Sequence, residues 1–447
     1  MKKSSLFTLI SILVLFQVNT LATEFIVKNI SDEEEKDGTW IALPYVFSSD
    51  SMGLTGGVVG IFNGFIQPQM TIVATVFVGE EIPIKNINKS GVQGDTTARS
   101  EGMFLAVSGY RPFFSQRMFI SLLASYAYYP NQRLYLDGNN DSVRDVGENA
   151  PIVGGTPLQT QGFNNWASLD FRYVLPIGEG EDSITPIIKL SRGLAVNRGD
   201  KGNGIPFVSG QTIFGTELFY NKLTADKFTK EPSLSTNGLR LYLEHDNTDY
   251  PDNPSRGYNM ILKVSVDFGL ANSTQSWNSV EAGYSHYFEM PNFSWTRQNV
   301  VALSVWTAYS PSWDSSQRGS NTVLDKNAPV MWEGARLGGF TRMRAYDMNR
   351  FSDKAAVYAT AEYRLIPELN PMHDQKWSPV PIDWFQMVLF AEAGRVTPEY
   401  NLVTLTKDLK YDVGFSLRAL AANLPVRFEM TFGDEGSNMW VVLKQPF

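Results

Sequence analysis

Three groups of residues in this sequence have types and spacings that could do chemistry. The first is Asp137-Gly-Asn-Asn-Asp-Ser-Val-Arg-Asp-Val-Gly-Glu148. Asp137, Asn139, Asp141, the Val143 carbonyl, Asp145 and Glu148 fall at positions 1, 3, 5, 7, 9 and 12 of a calcium-binding loop. Hard oxygen ligands at that spacing wrap one Ca²⁺, which makes Ca²⁺ the candidate structural ligand of this loop. Ser142 stands where such loops carry glycine, and no flanking helices are evident. The same residues also suit an acidic solvated loop whose Asn and Asp make turns. The second group is the three histidines, His245, His286 and His373. A Ser–His pair can make a hydrolytic nucleophile, but Ser285 and His286 are neighbours on an alternating run and point to opposite faces. No nucleophile, base and orienting group can be named together, so the chain reads as a non-enzyme. No nucleotide loop or His-based zinc motif occurs either. The third group is Gly334 to Phe351, with four arginines and three glycines in 18 residues. It is too charged for a core and too apolar and aromatic for a plain solvated loop. It reads as a loop that folds back into a polar cavity and is held there by its arginines.

The rest of the chain has to supply that cavity. The 447 residues include no Cys, 36 Gly and 13% aromatics. No disulfide, thiolate metal site or thiol nucleophile is therefore available. Charged residues make up only 19% and the net charge is −8, which argues against a nucleic-acid partner. Met1-Lys2-Lys3, the apolar run Leu6–Phe16 and the small residues of Thr20-Leu21-Ala22 give a secretory signal peptide over 1–22. The acidic stretch 23–38 reads as a flexible periplasmic leader. No later apolar run is long enough to span a bilayer as a helix, which needs about 20 residues.

From Thr39 the chain reads as strands to its last residue, 39–447. Tyr411, Val413, Phe415 and Leu417 alternate with Lys410, Asp412, Gly414, Ser416 and Arg418. Tyr258 to Phe268, Asn165 to Leu175 and Arg117 to Tyr128 behave alike. A period of two marks a strand with one apolar and one polar face. Runs of this length with aromatics near their ends match tilted transmembrane strands of roughly 9–11 residues. The expected spans are 40–48, 54–65, 69–82, 101–112, 117–129, 161–176, 184–194, 237–248, 258–270, 275–288, 298–310, 354–365, 383–395, 409–421, 425–432 and 438–447. The segment 205–224 is a further place for a strand. The fold class is all-β, a transmembrane antiparallel β-barrel of about 16 strands. Short turns at 249–257, 289–292 and 422–425 fall on the side of the termini, the periplasm. Long connections at 130–160, 195–236 and 311–352 fall outside, and the sixth outer loop is the inward-folded one. Alternation turns Tyr358, Thr360, Glu362 and Arg364 inward on one strand, and Gln386, Glu392 and Gly394 inward on the next. Two inward carboxylates on adjacent strands need a cation, because unpaired charge is costly in a confined lumen. Arg344 on the loop is the natural partner, with Arg418 on the following strand.

The C-terminal half resembles the bacterial surface antigen barrel superfamily, which includes BamA, TamA and the two-partner secretion transporters. Gly338-Gly339 followed by Arg344-Ala345-Tyr346 is similar to its inserted-loop motif, with Ala345 in place of the motif glycine. Glu362 in Ala-Thr-Ala-Glu-Tyr-Arg364 and Phe390-Ala-Glu-Ala-Gly394 resemble its inward acidic motifs. Asp246-Asn-Thr-Asp249 with Pro254-Ser-Arg-Gly257 resembles its periplasmic turn element. Pro44-Tyr-Val-Phe-Ser and Gly53-Leu-Thr-Gly-Gly57 resemble its first hairpin. A closing Phe447 after Met439, Val441 and Leu443 resembles the C-terminal barrel signal of outer-membrane proteins. The resemblance implies an outer-membrane location and insertion by the barrel assembly machinery. It further implies a part in protein or lipid assembly or translocation among outer-membrane lipids, with a periplasmic or outer-membrane protein partner. Too little sequence separates the signal peptide from the first strand for the family's periplasmic polypeptide-binding repeats, so a barrel-only member is expected. The alternative is a passive pore or structural outer-membrane protein.

Overall fold

The computed structural model describes residues 38–49, 51–84, 97–135, 158–198, 201–224, 233–314, 326–330, 332–372, 382–421 and 424–447. The signal peptide, all of the leader before residue 38, the calcium-loop residues Asp137–Glu148 and His373 lie outside them.

The chain forms β1 (Thr39–Ser49), β2 (Gly53–Asn63), β3 (Thr71–Pro83), β4 (Thr97–Tyr110), β5 (Met118–Leu134) and β6 (Leu158–Gly178). Next come the short helix α1 (Glu179–Asp182), the two-residue strands β7 (Leu190–Ser191) and β8 (Leu194–Ala195), then β9 (Gln211–Thr224), β10 (Ser233–Asp246), β11 (Gly257–Asp267), β12 (Trp277–Met290) and β13 (Thr296–Tyr309). The two-residue strands β14 (Arg336–Leu337) and β15 (Phe351–Ser352) precede β16 (Ala355–Pro367) and β17 (Ile382–Thr397). The helical turn α2 (Leu402–Leu405), β18 (Lys410–Ala421), β19 (Leu424–Gly433) and β20 (Gly436–Leu443) follow. All but the four two-residue strands join one 16-stranded antiparallel sheet in chain order, with β1 and β20 at its ends.

The sheet curls into a barrel whose two faces are inverted relative to a water-soluble protein. On β18 the apolar Tyr411, Val413, Phe415 and Leu417 are exposed, while Asp412, Ser416 and Arg418 are buried. On β17 Met387 and Leu389 are exposed, while Gln386 and Glu392 are buried. An apolar exterior around a charged interior is the arrangement a lipid solvent demands. From β1 to β20 the continuous ladders pair the backbone of neighbouring strands on the bilayer side.

Two expectations are corrected. The seventh strand is not 184–194 but Gln211–Thr224. The apolar residues of 184–194 pack on the barrel mouth instead, and Arg192 (φ 48°) with Gly193 (φ 73°) turns the chain there. The true strand is hard to see because apolar Ile213, Phe219 and Leu223 face inward beside Glu217, which pairs with Arg240 at 2.8 Å. The connection 179–210 consequently lies on the side of the termini and not outside. The last strand does not run to 447 but ends at Leu443. Lys444 (φ 71°) turns the chain, and Phe447 stacks against Tyr287, 6.2 Å between ring centroids. The Arg364 guanidinium lies 4.8 Å from the Phe447 ring. These partners face inward, so Phe447 sits inside the lumen.

Candidate functional site

The connection from β13 to β16 enters the barrel as a tongue. β14 pairs with β15 at its root, Arg336 with Ser352 and Leu337 with Phe351. Gly338 (φ 107°) and Gly339 (φ 111°) turn the chain beyond the root. A Cβ on Gly338 would lie 2.3 Å from the Asp347 carbonyl oxygen, and one on Gly339 would lie 2.3 Å from Met348 Sδ. Only glycine satisfies both the backbone and the space. The left-handed residue at the tip is Met343 (φ 54°), and Ala345 does not adopt that conformation.

Arg344 is fully buried. Its Nε donates to Glu392 at 2.9 Å, its NH1 to Glu429 at 2.8 Å, and its backbone N–H to the other Glu392 oxygen at 2.6 Å. Glu362 lies 3.0 Å from NH1. The guanidinium sits 3.5 Å from the centre of the Phe390 ring. The Arg344 carbonyl accepts from Thr431 Oγ1 at 2.9 Å and Trp440 Nε1 at 2.6 Å. Glu362 also receives Arg364 at 2.8 Å and Arg418 at 2.9 Å. Glu429 receives Arg427 at 2.6 Å, and Tyr358 donates to Glu392. Four buried arginines thus surround three buried glutamates, with Asp412 accepting from the Ala345 N–H at 3.3 Å. Such charges are tolerated away from water only when each one is met by another in good geometry.

The tongue is held elsewhere too. Tyr346 donates to Asp434 at 2.7 Å, and Arg350 makes a two-point contact with Glu435 at 2.6 and 2.8 Å. Asp347 accepts from Tyr135 at 2.6 Å. Glu333 meets Arg240 on the opposite wall at 2.6 Å. Gly394 leaves room for the tongue, since a Cβ there would lie 2.9 Å from Leu337 Cδ1 and 3.1 Å from Met343 Sδ. A family model for the Omp85 superfamily domain matches residues 190–438.

The chain belongs to the Omp85 superfamily. Omp85 barrels reside in the bacterial outer membrane. Among solved structures, the chain is similar to CdiB from Escherichia coli, at 10% identity and TM-score 0.52, with 91% of this chain and 61% of that one covered. It is also similar to BamA from Haemophilus ducreyi lacking POTRA domains 1-3 (12%, 0.48, 91% and 70%) and to CdiB from Acinetobacter baumannii (13%, 0.47, 90% and 58%). The chain therefore spans about three fifths of either CdiB chain. Comparison with curated proteins gave no match.

In this Omp85 barrel the structure brings Gly338, Gly339, Arg344, Tyr346, Glu362, Glu392, Gly394 and Arg418 into one assembly. Phe447 joins its edge through Arg364. Ser285 and His286 do point apart: Ser285 donates to Ser304 at 3.0 Å inside, while His286 stacks on Phe288 at 4.3 Å outside. Sequence reasoning missed Glu429 and Arg427. The alternation of Val426, Phe428 and Met430 with Arg427, Glu429 and Thr431 marks them inward by the rule that found Glu362. It also missed Arg240, which alternation on β10 turns inward, and Glu333, since a loop residue has no periodicity to place it.

Proposed function

We propose that this chain is an outer-membrane barrel that assists protein or lipid assembly or translocation together with a partner protein. The observation that carries the reading is the tongue. It occupies the lumen and is tied to β10, β16, β17 and β19 through buried charge pairs. A permanent pore has no use for a plug held this firmly, whereas a barrel that works through its wall does. Among the described residues β1 and β20 stand at the two ends of the sheet order with no pairing between them, which supports such a seam. The expected signal peptide at 1–22 fits delivery to the periplasm. Depletion in the native cell, followed by an inventory of outer-membrane proteins and surface-exposed lipids, tests the reading. Loss of specific proteins or lipids from the surface is the expected result. An unchanged inventory, together with steady conductance of the purified barrel in planar bilayers, would favour a passive pore instead.

A further inference from the structure

The connection between β6 and β9, described at 179–198 and 201–210, lies on the side of the termini and crosses the barrel mouth. It leaves β6 at Gly178 (φ 56°) and extends the hairpin β7–β8 toward the far wall. The hairpin tip is gripped there by four strands' ends. Trp384 Nε1 donates to the Gly193 carbonyl at 2.9 Å. Arg297 donates to the carbonyls of Arg192 at 3.1 Å and Ser191 at 3.4 Å. Arg192 faces Glu368 at 3.7 Å. Leu194 packs on the fully buried Ile366, Trp384 and Leu420. On the way back Arg198 pairs with Glu179 at 2.5 Å and donates to the Asp249 carbonyl at 3.3 Å. Because β6 and β9 are sixth and seventh in the sheet while β17 and β18 are thirteenth and fourteenth, the segment ties opposite walls together.

We infer that the hairpin β7–β8 is a latch across the periplasmic mouth of the lumen, closing it from the end opposite the tongue. It goes beyond the assembly reading and does not depend on which cargo, if any, is handled. Beside the tongue the lumen holds a cavity of about 180 Å³, lined by Asn259, Lys263, Glu281, Ser285, Ser304 and Arg342 among others. Among the described residues the tip is held to the wall by side chains and by the packing of Leu194, and no sheet ladder joins it there. The hairpin's own pairs, Leu190 with Ala195 and Ser191 with Leu194, are internal to it. It can therefore leave as a unit, and its contacts with Trp384 and Leu420 decide whether the lumen communicates with the periplasm.

The sequence has no cysteine, so one introduced thiol reports cleanly. Ser285→Cys places it in the cavity. The purified barrel is reacted with a bulky polymer maleimide, alone and combined with Gly193→Val. A Cβ at Gly193 would lie 2.6 Å from Trp384 Cδ1 and 2.8 Å from Leu420 Cδ2, so valine expels the tip. Slow labelling of the single variant and roughly tenfold faster labelling of the double variant are expected, as for opening of a local closure. Trp384→Phe removes only the indole donor and stands in if Gly193→Val does not fold. Fast labelling of Ser285→Cys alone overturns the latch. So does an unchanged rate in a second-site variant that keeps its heat-modifiable migration.

Discussion

Arg344 reaches three carboxylates from three strands, and it does so with Nε, NH1 and its own backbone N–H. A lysine has one point charge and cannot reproduce that fork. Arg344→Ala leaves Glu392 and Glu429 short of a buried counter-charge, a change of about 3–5 kcal/mol by the behaviour of broken buried pairs. The expected outcome is a lower temperature for loss of heat-modifiable migration and faster proteolysis of the tongue. Arg344→Lys should restore little of either; full restoration by lysine would show that charge alone holds the tongue. Gly394 tests the same seat by volume. Gly394→Val drives a side chain into Leu337 and Met343, at about 1–3 kcal/mol for overpacking. Proteolysis of the tongue should rise while the mature barrel still forms. A barrel that fails to form at all would place the role of Gly394 in the strand.

The tongue and the β19–β20 hairpin act as two elements clasped at Asp434 and Glu435. Burial pushes the Asp434 carboxyl up, but hydrogen bonds from Lys410 and Tyr346 outweigh it and hold the group below its ordinary value of 3.8. A carboxyl depressed in the folded state contributes stability that is present above its unfolded value and lost as pH falls through the folded one. Protection of the tongue should thus be level from neutral pH to about 4 and decline below it, with the step reduced in Asp434→Asn. A decline of equal size in that variant would assign the step to other carboxyls. At this scale the sequence was legible where period two persisted. Strand number, the inward faces of β16 and β17 and the Arg344 tongue all followed from alternation and from charge that needed a partner. It was not legible where a strand turned apolar residues inward, as Ile213, Phe219 and Leu223 do in β9, nor where apolar residues served a mouth instead of a wall, as Leu194 does. Ile184 to Leu194 looks like a strand because packing on Phe119, Val174 and Ile213 at one end and on Trp384 at the other demands apolar residues with no particular period.

At the scale of the whole molecule, the tongue joins β10 to β16, β17 and β19, and the segment 179–210 joins β6 and β9 to β17 and β18. Among the described residues β1 to β4 carry neither brace, and they lead to the β1 edge. If the wall opens, it opens where bracing is absent. A disulfide engineered between β1 and β20 should leave folding and the tongue intact while abolishing whatever surface assembly the depletion experiment reveals. Retained assembly with the staple closed would move the path elsewhere. The seat of Arg344 has one more consequence, concerning order in time. Glu362, Glu392 and Glu429 all follow the tongue in the chain, across β16 to β19. The tongue cannot dock as it emerges, because its counter-charges are not yet paired into the sheet, and non-local contacts must wait for their loops to close. Docking of Arg344 is thus a completion signal: it occurs once the last third of the barrel is in register, and a register slip in that third leaves the arginine outside.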